Sequence, residues 1–295
     1  MNRESAVCLL GFGEVGQALA PQLVATRITT YDLLFAHADS LPAVTAKKFT
    51  PLEVGVSATA AVADATVIIS AVTADQAVAA AESIVSSLQD NAYYLDVNSV
   101  SPQTKKNIAN VIESAGGRFV EAAVMSPIHP HGLASPILLG GKFSQAFIEV
   151  GGALGFSNLK VASVQIGKAS ATKMCRSVIV KGIESLFSEA LQSARAFGVE
   201  DEVVGSLNNL LNAEDWNQRA SYMVSRSIKH GARRAAEMRE VVKTITESGG
   251  VPLMSQACVE RQAWTGGLAI DVGEQSLGSL LDAMNNFPNE FREIN

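Results

Sequence analysis

The first 165 residues alternate between short apolar runs and longer helix-like stretches. The apolar runs carry no polar face, which is typical of parallel strands buried on both sides of a sheet. Alternation of this kind predicts an α/β fold with a doubly wound sheet. Helices are predicted between the strands, for example at Asp75–Leu88 and Pro102–Ala115. The predicted strands are Ala6–Leu10, Ile28–Tyr31, Val67–Ala71, Tyr93–Val97, Phe119–Val124 and Ile137–Leu139.

The pattern changes after about residue 165, and the rest of the chain is helix-like. No proline interrupts Ala169–Phe197, and turn-forming glycines separate later helical segments. We therefore predict two domains, an α/β domain of residues 1–165 and an all-helical domain of residues 166–295. The helix predicted at Ala169–Phe197 is long and apolar on more than one face, so one small helical domain cannot cover it. This favours a homodimer or a larger homo-oligomer. The later helices are predicted at Glu214–Ile228, Ala232–Glu247 and Pro252–Trp264.

Composition excludes several classes of function. The formal net charge of −6 argues against a nucleic-acid binder, because such proteins are normally basic. No apolar run reaches the ~18 residues that span a membrane, and no signal peptide is visible, so no membrane partner is expected. Cys8, Cys175 and Cys258 have no paired spacing, which indicates reduced thiols and a cytoplasmic location. No Cys/His set has zinc-ligand spacing, and we predict no metal site.

A glycine motif follows the first predicted strand. Gly11, Gly13 and Gly16 form G-x-G-x-x-G where the strand gives way to a helix. In a Rossmann-type fold the first glycine permits a tight turn, the second lets a pyrophosphate approach the backbone, and the third lets the helix pack on the strand. Free amides at the helix start also favour phosphate. We expect a dinucleotide to contact the whole loop, namely Gly11, Phe12, Gly13, Glu14, Val15 and Gly16.

An acidic residue follows the next predicted strand. Asp32 lies 21 residues after Gly11, where a carboxylate accepts hydrogen bonds from the adenosine ribose hydroxyls. The same carboxylate repels a 2′-phosphate, and no Arg or Lys follows before Lys47. We therefore predict NAD rather than NADP as the cofactor. The alternative is an ordinary surface carboxylate beside a glycine turn.

Further motifs follow one another along the chain, and a long helix then opens with G-x-x-x-x-x-K, in which Gly167 is the glycine and Lys173 the lysine. In this order the motifs resemble the β-hydroxyacid dehydrogenase family, which includes 3-hydroxyisobutyrate and 6-phosphogluconate dehydrogenases. The all-helical second half is most similar to the phosphogluconate-dehydrogenase-like branch. The motifs are G-F-G-E-V-G at 11–16, V-I-I-S-A-V-T at 67–73, D-V-N-S-V-S-P at 96–102, F-V-E-A-A-V at 119–124 and I-L-L-G-G at 137–141.

The resemblance implies that Lys173 is the catalytic lysine. In the family this residue acts as general base and removes the hydroxyl proton while hydride passes to the nicotinamide. A lysine becomes a useful base when desolvation or a nearby cation lowers its pKa. Lys181 is the rival, because Lys181-Gly-Ile-Glu184 mimics the phosphogluconate-enzyme pattern two turns further on. The alternative for Lys173 is a surface lysine at a helix start.

The chain departs from the family at two places. The family usually has Asn four residues after the lysine, whereas this chain has Ser177. We expect the serine hydroxyl to assist catalysis as a hydrogen-bond donor, although its side chain is shorter than that of Asn. The family's D-A-P-V-S-G-G substrate loop corresponds to Glu121–Pro127, with Met125 in place of the serine and Ser126 and Pro127 in place of the glycines. Proline has no N–H, so amides that would hold a substrate carboxylate are partly lost. We still expect Met125 and Ser126 to line the substrate pocket.

Two residue pairs follow predicted strands and complete the implied site. Val72 and Thr73 match the family's loop beside the nicotinamide ribose, and Asn98 and Ser99 match the Ser-Thr of its D-x-S-T pattern. Both pairs stand where α/β sheets bind ligands. We expect Val72, Thr73 and Asn98 to contact the cofactor and Ser99 to contact the substrate. The alternative for Asn98 and Ser99 is a helix-capping turn.

A basic stretch runs through Arg226–Arg239 in the helical half. Cations grouped on a helix hold carboxylates and phosphates, and the family places substrate-binding cations near this region. We therefore expect His230 and Arg233 to bind a small anionic substrate, the alternative being a solvated, salt-bridged face. For His129 and His131, substrate contact and an exposed loop both stay open.

The motifs together predict an NAD-dependent oxidoreductase that acts on an alcohol near an acidic group. An imine reductase is an alternative on a related fold, although the retained lysine argues against it. A non-catalytic dinucleotide-binding sensor is the alternative from another class, and it would need no catalytic lysine.

Overall fold

A computed structural model of the chain describes residues 6–49, 51–207, 216–273 and 275–287. The described strands form one sheet of eight, in the order 3-2-1-4-5-6-7-8 by chain position. All neighbouring strands are parallel except the sixth and seventh. The strands are β1 (Ala6–Leu10), β2 (Arg27–Tyr31), β3 (Leu52–Val54), β4 (Val67–Ser70), β5 (Tyr93–Asp96), β6 (Arg118–Val124), β7 (Ile137–Gly140) and β8 (Leu159–Ser163). The predicted Rossmann-type sheet is confirmed.

Helices follow most of the strands, and the elements described after β8 are all helices. The helices beside the sheet are α1 (Glu14–Leu19), α2 (Leu41–Ala46), α3 (Ala58–Val62), α4 (Ala77–Glu82), α5 (Pro102–Ser114) and α6 (Ser144–Ala153). The later helices are α7 (Lys168–Phe197), α8 (Glu200–Ser206), α9 (Trp216–Glu247), α10 (Leu253–Gly267) and α11 (Leu277–Asn285). The helical second half of the predicted fold is thus also confirmed.

The strand order fixes where a ligand site can form. The chain runs outward from β1 to β3 and then returns to place β4 on the other side of β1. Loops that leave neighbouring strands β1 and β4 therefore turn in opposite directions, which opens a crevice at their carboxyl ends. Because β5 and β6 are parallel to β4, the loops after them emerge at the same edge.

The sheet is covered on both faces. On β1, Val7 and Leu9 belong to one buried cluster, while Cys8 and Leu10 belong to the other. This explains why the strand has no polar face. Burial raises the pKa of the Cys8 thiol to about 12, so the thiol is neutral and inert at physiological pH. All three cysteines are free, and Cys175 is the exposed one.

The chain divides into two compact units within α7, between Met174 and Cys175. The second unit has its own apolar core, which includes Leu191, Val224 and Leu281. None of the helices in the described part of the chain combines the length and apolarity that a membrane span requires.

One predicted helix break is wrong. We predicted separate helices at Glu214–Ile228 and Ala232–Glu247, but α9 runs unbroken from Trp216 to Glu247; Glu214 itself lies outside the described residues. A Cβ at Gly231 would collide with Gly266 of α10 and lie 2.5 Å from its amide nitrogen. Gly231 therefore lets two helices pack closely and does not mark a turn.

Two strands were not predicted, and both are at the sheet edges. β3 is three residues long and largely exposed, and β8 alternates between exposed and half-buried positions. Neither carries the continuous apolar run that marks a central parallel strand. The predicted helix Asp75–Leu88 is shorter than expected, because 3₁₀ turns at Ala74–Gln76 and Val85–Ser87 flank α4.

Candidate active site

The glycine loop has the close contacts that its motif requires. Gly11 adopts a φ of +97°, and a Cβ there would lie 2.5 Å from the carbonyl oxygen of Ala71 after β4. A Cβ at Gly16 would collide with the carbonyl oxygen of Gly11. These two glycines allow the turn and the packing of α1 on it, and larger side chains would disrupt both.

Gly13 is different, because nothing lies within 4 Å of the position its Cβ would take. It is the N-cap of α1, and no side chain caps this helix end. The open space beside uncapped amides suits a pyrophosphate that approaches the backbone. The loop therefore fits the dinucleotide on its geometry as well as on its sequence, and Glu14 and Val15 form the first turn of α1.

Asp32 follows β2 and points at this loop. Its Oδ2 accepts a hydrogen bond from the amide of Phe12 at 2.7 Å, and its Oδ1 accepts one from the amide of Leu34 at 2.8 Å. Each carboxylate oxygen keeps a second lone pair for a ribose hydroxyl. The half-buried carboxylate is thus fixed beside the glycine loop, where a ribose-binding acid is needed.

Asn98 joins the loops that follow two neighbouring strands. Its Oδ1 accepts a hydrogen bond from the amide of Val72 at 2.8 Å, and its Nδ2 donates to the hydroxyl of Ser70 at 2.9 Å. Asn98 is buried, Val72 is half-buried and Thr73 is exposed. The side chain of Asn98 therefore holds the Val72–Thr73 loop, which we predicted to lie beside the nicotinamide ribose, against the end of β4.

Lys173 and Ser99 are in direct contact. The Nζ of Lys173 donates a hydrogen bond to the Oγ of Ser99 at 2.6 Å, although the two residues are 74 positions apart. Ser99 follows β5, so this contact places the lysine at the ligand-binding edge of the sheet. Both side chains are half-buried. An amine and a hydroxyl at this edge are groups that can exchange a proton with a bound alcohol.

Two buried charges near this pair were missed by the sequence analysis. Asp96 is fully buried at the end of β5, and its Oδ2 lies 3.1 Å from the Nζ of buried Lys105 on α5. Burial raises the pKa of Asp96, and the positive charge of Lys105 opposes that rise. The Oδ1 of Asp96 also accepts a hydrogen bond from the amide of Asn98 at 3.0 Å. Asp96 thereby anchors the turn that carries Ser99.

The loop after β6 holds two of the predicted substrate residues. Met125 and Ser126 are half-buried. The amide of Met125 donates to the carbonyl of Pro136 at 2.8 Å, and the hydroxyl of Ser126 donates to the carbonyl of Pro127 at 3.0 Å. One of the loop's amides is therefore already used within the protein. His129 and His131 are exposed, and the described residues contain no cluster of three His, Cys, Asp or Glu that could hold a metal ion.

The second unit contains Ser177 and the rival lysine. The Nζ of Lys181 lies 2.6 Å from the Oε2 of Glu237 and donates to the hydroxyl of Ser177 at 3.3 Å. Both Ser177 and Lys181 are buried. The amine of Lys181 is thus held in a buried ion pair with Glu237 of the second unit, whereas the amine of Lys173 contacts Ser99 at the edge of the sheet.

The predicted substrate cations also belong to the second unit, on α9. Arg233 is exposed and makes an i, i+4 ion pair with Glu237, with 3.4 Å between Nη1 and Oε1. His230 is half-buried. Arg234 is buried and paired with buried Glu184. Arg233 is thus the more accessible arginine of the two for a ligand.

Comparison with known proteins identifies the family. The model of the NAD-binding domain of 6-phosphogluconate dehydrogenase matches residues 6–144. The crystal structure of a conserved hypothetical protein from Sinorhizobium meliloti is 32% identical, covers 96% of this chain and 97% of its own, and has a TM-score of 0.70. The chain belongs to the same family as this protein, and its residues 6–144 form an NAD-binding domain of the 6-phosphogluconate dehydrogenase type. A domain model of unknown function also matches residues 194–265.

Other similar proteins agree with this family. An uncharacterized protein from Methanothermus fervidus is 28% identical over 161 residues, which are 55% of this chain and only 61% of that protein. A 3-hydroxyisobutyrate dehydrogenase from Mycobacterium tuberculosis, solved with L-serine, is 15% identical, with 96% and 99% of the chains covered and a TM-score of 0.70. A reductive aminase from Aspergillus terreus, solved with NADPH and ethyl levulinate, is 19% identical, with 95% and 99% covered and a TM-score of 0.56. The last two share the fold.

The family match supports two statements about the chain. It has a hydroxyacid-dehydrogenase-like fold, and its NAD-binding domain supports an oxidoreductase with a nicotinamide cofactor. The similar proteins do not distinguish NAD from NADP.

Proposed function

We propose that the protein is an NAD-dependent dehydrogenase of small, anionic hydroxy acids, with Lys173 as general base. The hydrogen bond between Lys173 and Ser99 carries this proposal, because it holds a half-buried amine at the carboxyl edge of the sheet. The glycine loop after β1 emerges at that same edge. A base and a dinucleotide site at one edge are the two parts that alcohol oxidation needs.

In this mechanism the residues of the chain bind and orient the substrate and remove the proton from its hydroxyl group. The bound nicotinamide supplies the hydride acceptor. The neutral amine of Lys173 accepts the hydroxyl proton of the substrate, and Ser99 holds the amine in place and offers a second hydrogen-bonding group to the same oxygen. In the reverse direction the ammonium of Lys173 returns the proton to the carbonyl oxygen. Help of this kind is typically worth about 10²- to 10⁴-fold in rate.

An acidic substrate would need a cation, and Arg233 is our candidate. Its guanidinium is exposed, and its ion pair with Glu237 is long at 3.4 Å. Exposed ion pairs of this type contribute little stability, so a carboxylate or phosphate ligand can compete with the glutamate. We propose His230, Met125 and Ser126 as further substrate contacts and Ser177 as an assisting hydroxyl. A homodimer or larger homo-oligomer stays a prediction.

The direct test is an assay of NADH formation over a panel of hydroxy acids that includes phosphorylated ones. We expect at least one anionic hydroxy acid to be oxidised and the corresponding neutral alcohol to react poorly. Reduction of cyclic imines with no hydroxy-acid turnover would instead support the imine reductase. Tight NADH binding without turnover of either class would support a non-catalytic sensor.

The predicted preference for NAD is testable at Asp32. Replacing Asp32 with asparagine removes the negative charge that would repel a 2′-phosphate, while the amide oxygen can still accept one of the two backbone hydrogen bonds. We expect the dissociation constant of NADPH, divided by that of NADH, to fall by about tenfold, which corresponds to roughly 1.4 kcal/mol. Calorimetric titration of both cofactors measures this ratio. Asp39→Asn, at an exposed position nearby in the sequence, controls for the loss of surface charge, and tighter NADPH than NADH binding by the wild type would contradict the prediction.

A further inference from the structure

Glu121 is a fully buried carboxylate in the middle of an apolar strand. It belongs to β6, whose other residues after Arg118 are apolar and buried. Neither the proposed mechanism nor the predicted substrate contacts use it. A buried charge is costly unless it is hydrogen-bonded, so the partners of Glu121 show why it is there.

Both oxygens of this carboxylate bind the start of α7. Oε1 accepts a hydrogen bond from the amide of Ser170 at 2.6 Å, and Oε2 accepts one from the amide of Gly167 at 2.7 Å. Amides at a helix start have no partner within the helix, and the helix dipole makes this end positive. The carboxylate therefore satisfies two such amides and complements the dipole of a 30-residue helix.

The strand opposite makes room for this arrangement. Gly140 of β7 pairs with Glu121 in the sheet register, and a Cβ at Gly140 would collide with the Oε2 of Glu121. Glycine at this position thus leaves the carboxylate free to reach out of the sheet towards α7.

The anchored turn leads directly to the proposed base. Lys173 follows Ser170 by three residues in α7, which is about one helical turn. On the neighbouring strand, Asp96 is the register partner of Glu121 and holds the turn that carries Ser99 through the amide of Asn98. Two adjacent carboxylates in the sheet therefore anchor the two segments that bring Lys173 and Ser99 together.

We propose that Glu121 is a positioning residue that sets the place of the Lys173 amine relative to Ser99 and the sheet edge. The expected effect of Glu121 on turnover rests on the proposed function, whereas its effect on the position of Lys173 does not. Glu121 touches no reacting atom and acts only through the first turn of α7.

The test is Glu121→Gln, which keeps the size of the side chain and removes the charge. The new NH₂ group is a donor facing a backbone N–H, so one of the two hydrogen bonds is lost. We expect kcat to fall by up to about 100-fold, the usual effect of a small displacement of a catalytic group, with the dissociation constant of NADH unchanged. Glu121→Asp keeps the charge and should recover part of the loss. Combining Glu121→Gln with Lys173→Ala should give no further loss, because the glutamate acts through the lysine.

A second readout does not depend on turnover. The rate at which an amine-selective acylating reagent modifies Lys173 can be followed by peptide mass spectrometry over a pH range. This rate should change in Glu121→Gln, while the rate at exposed Lys48 should not. Ser57→Ala, which removes the hydroxyl that caps α3 in the same unit, serves as the matched control and should leave Lys173 unchanged. If Glu121→Gln does not fold, Glu121→Asp decides the question in the same assay.

An unchanged pH profile of Lys173 acylation in the folded variant would overturn the positioning role. A changed profile in a protein that oxidises no hydroxy acid would leave the positioning role standing and refute the proposed function. The two claims can therefore fail separately.

Discussion

Replacing Lys173 with alanine is expected to lower hydroxy-acid turnover by about 10²- to 10⁴-fold, the usual contribution of a general base. The dissociation constant of NADH should not change. The glycine loop and Asp32 are the expected cofactor contacts, and they are held in place by contacts that do not involve this lysine. The fold should also survive, since the side chain is only half-buried. Steady-state kinetics and a cofactor titration on the same preparation measure both effects.

Two other lysines provide controls for this result. Lys168 is exposed at the first position of the same helix, and Lys168→Ala should retain wild-type turnover. Lys181→Ala tests the rival base, and it should lower stability more than activity because it leaves the carboxylate of Glu237 without the lysine partner. Full activity in Lys173→Ala, or a loss of turnover found in Lys181→Ala alone, would eliminate Lys173 as the base.

The second large effect is expected at Gly13. Alanine at this position adds a Cβ that meets nothing in the protein, so the free energy of unfolding should change by less than about 1 kcal/mol. The same Cβ occupies the space through which a pyrophosphate would approach the amides of α1. We expect the NADH dissociation constant to rise about 10- to 100-fold, since a lost charge-assisted hydrogen bond costs roughly 1.5–3 kcal/mol.

Gly152 is a matched control for this substitution. It lies in α6, and a Cβ there also has no atom within 4 Å. Gly152→Ala should leave both stability and NADH binding near the wild-type values. If Gly13→Ala binds NADH as tightly as Gly152→Ala does, the loop is not the pyrophosphate site.

The parts of the fold that were predictable from the sequence are those that local patterns determine. Continuous apolar runs marked the central strands because both faces of each are buried, as Cys8 and Leu9 show on β1. The motif at Gly11 and Gly13 was recognisable because turn geometry and phosphate approach restrict single positions to glycine. Edge strands such as β3 lack a continuous apolar run and left no such signal.

The parts that were not predictable depend on partners far apart in the sequence. Glu121 stood out only as an acid among apolar residues, and its bond to the amide of Gly167 spans 46 positions. The pairing of Asp96 with Lys105 depends on how α5 lies against the sheet. The continuity of α9 across residues 229–231 was not predicted, because the contact of Gly231 with Gly266 on α10 exists only in three dimensions.

The central claim is that Lys173 is the proton acceptor in a nicotinamide-dependent oxidation. A crystal structure of the protein with NADH and the best hydroxy acid of the panel tests this most directly. We expect the substrate hydroxyl within hydrogen-bond distance of both the Nζ of Lys173 and the Oγ of Ser99, with the pyrophosphate against Gly13. A substrate hydroxyl bound by other groups, with Lys173 facing solvent, would contradict it.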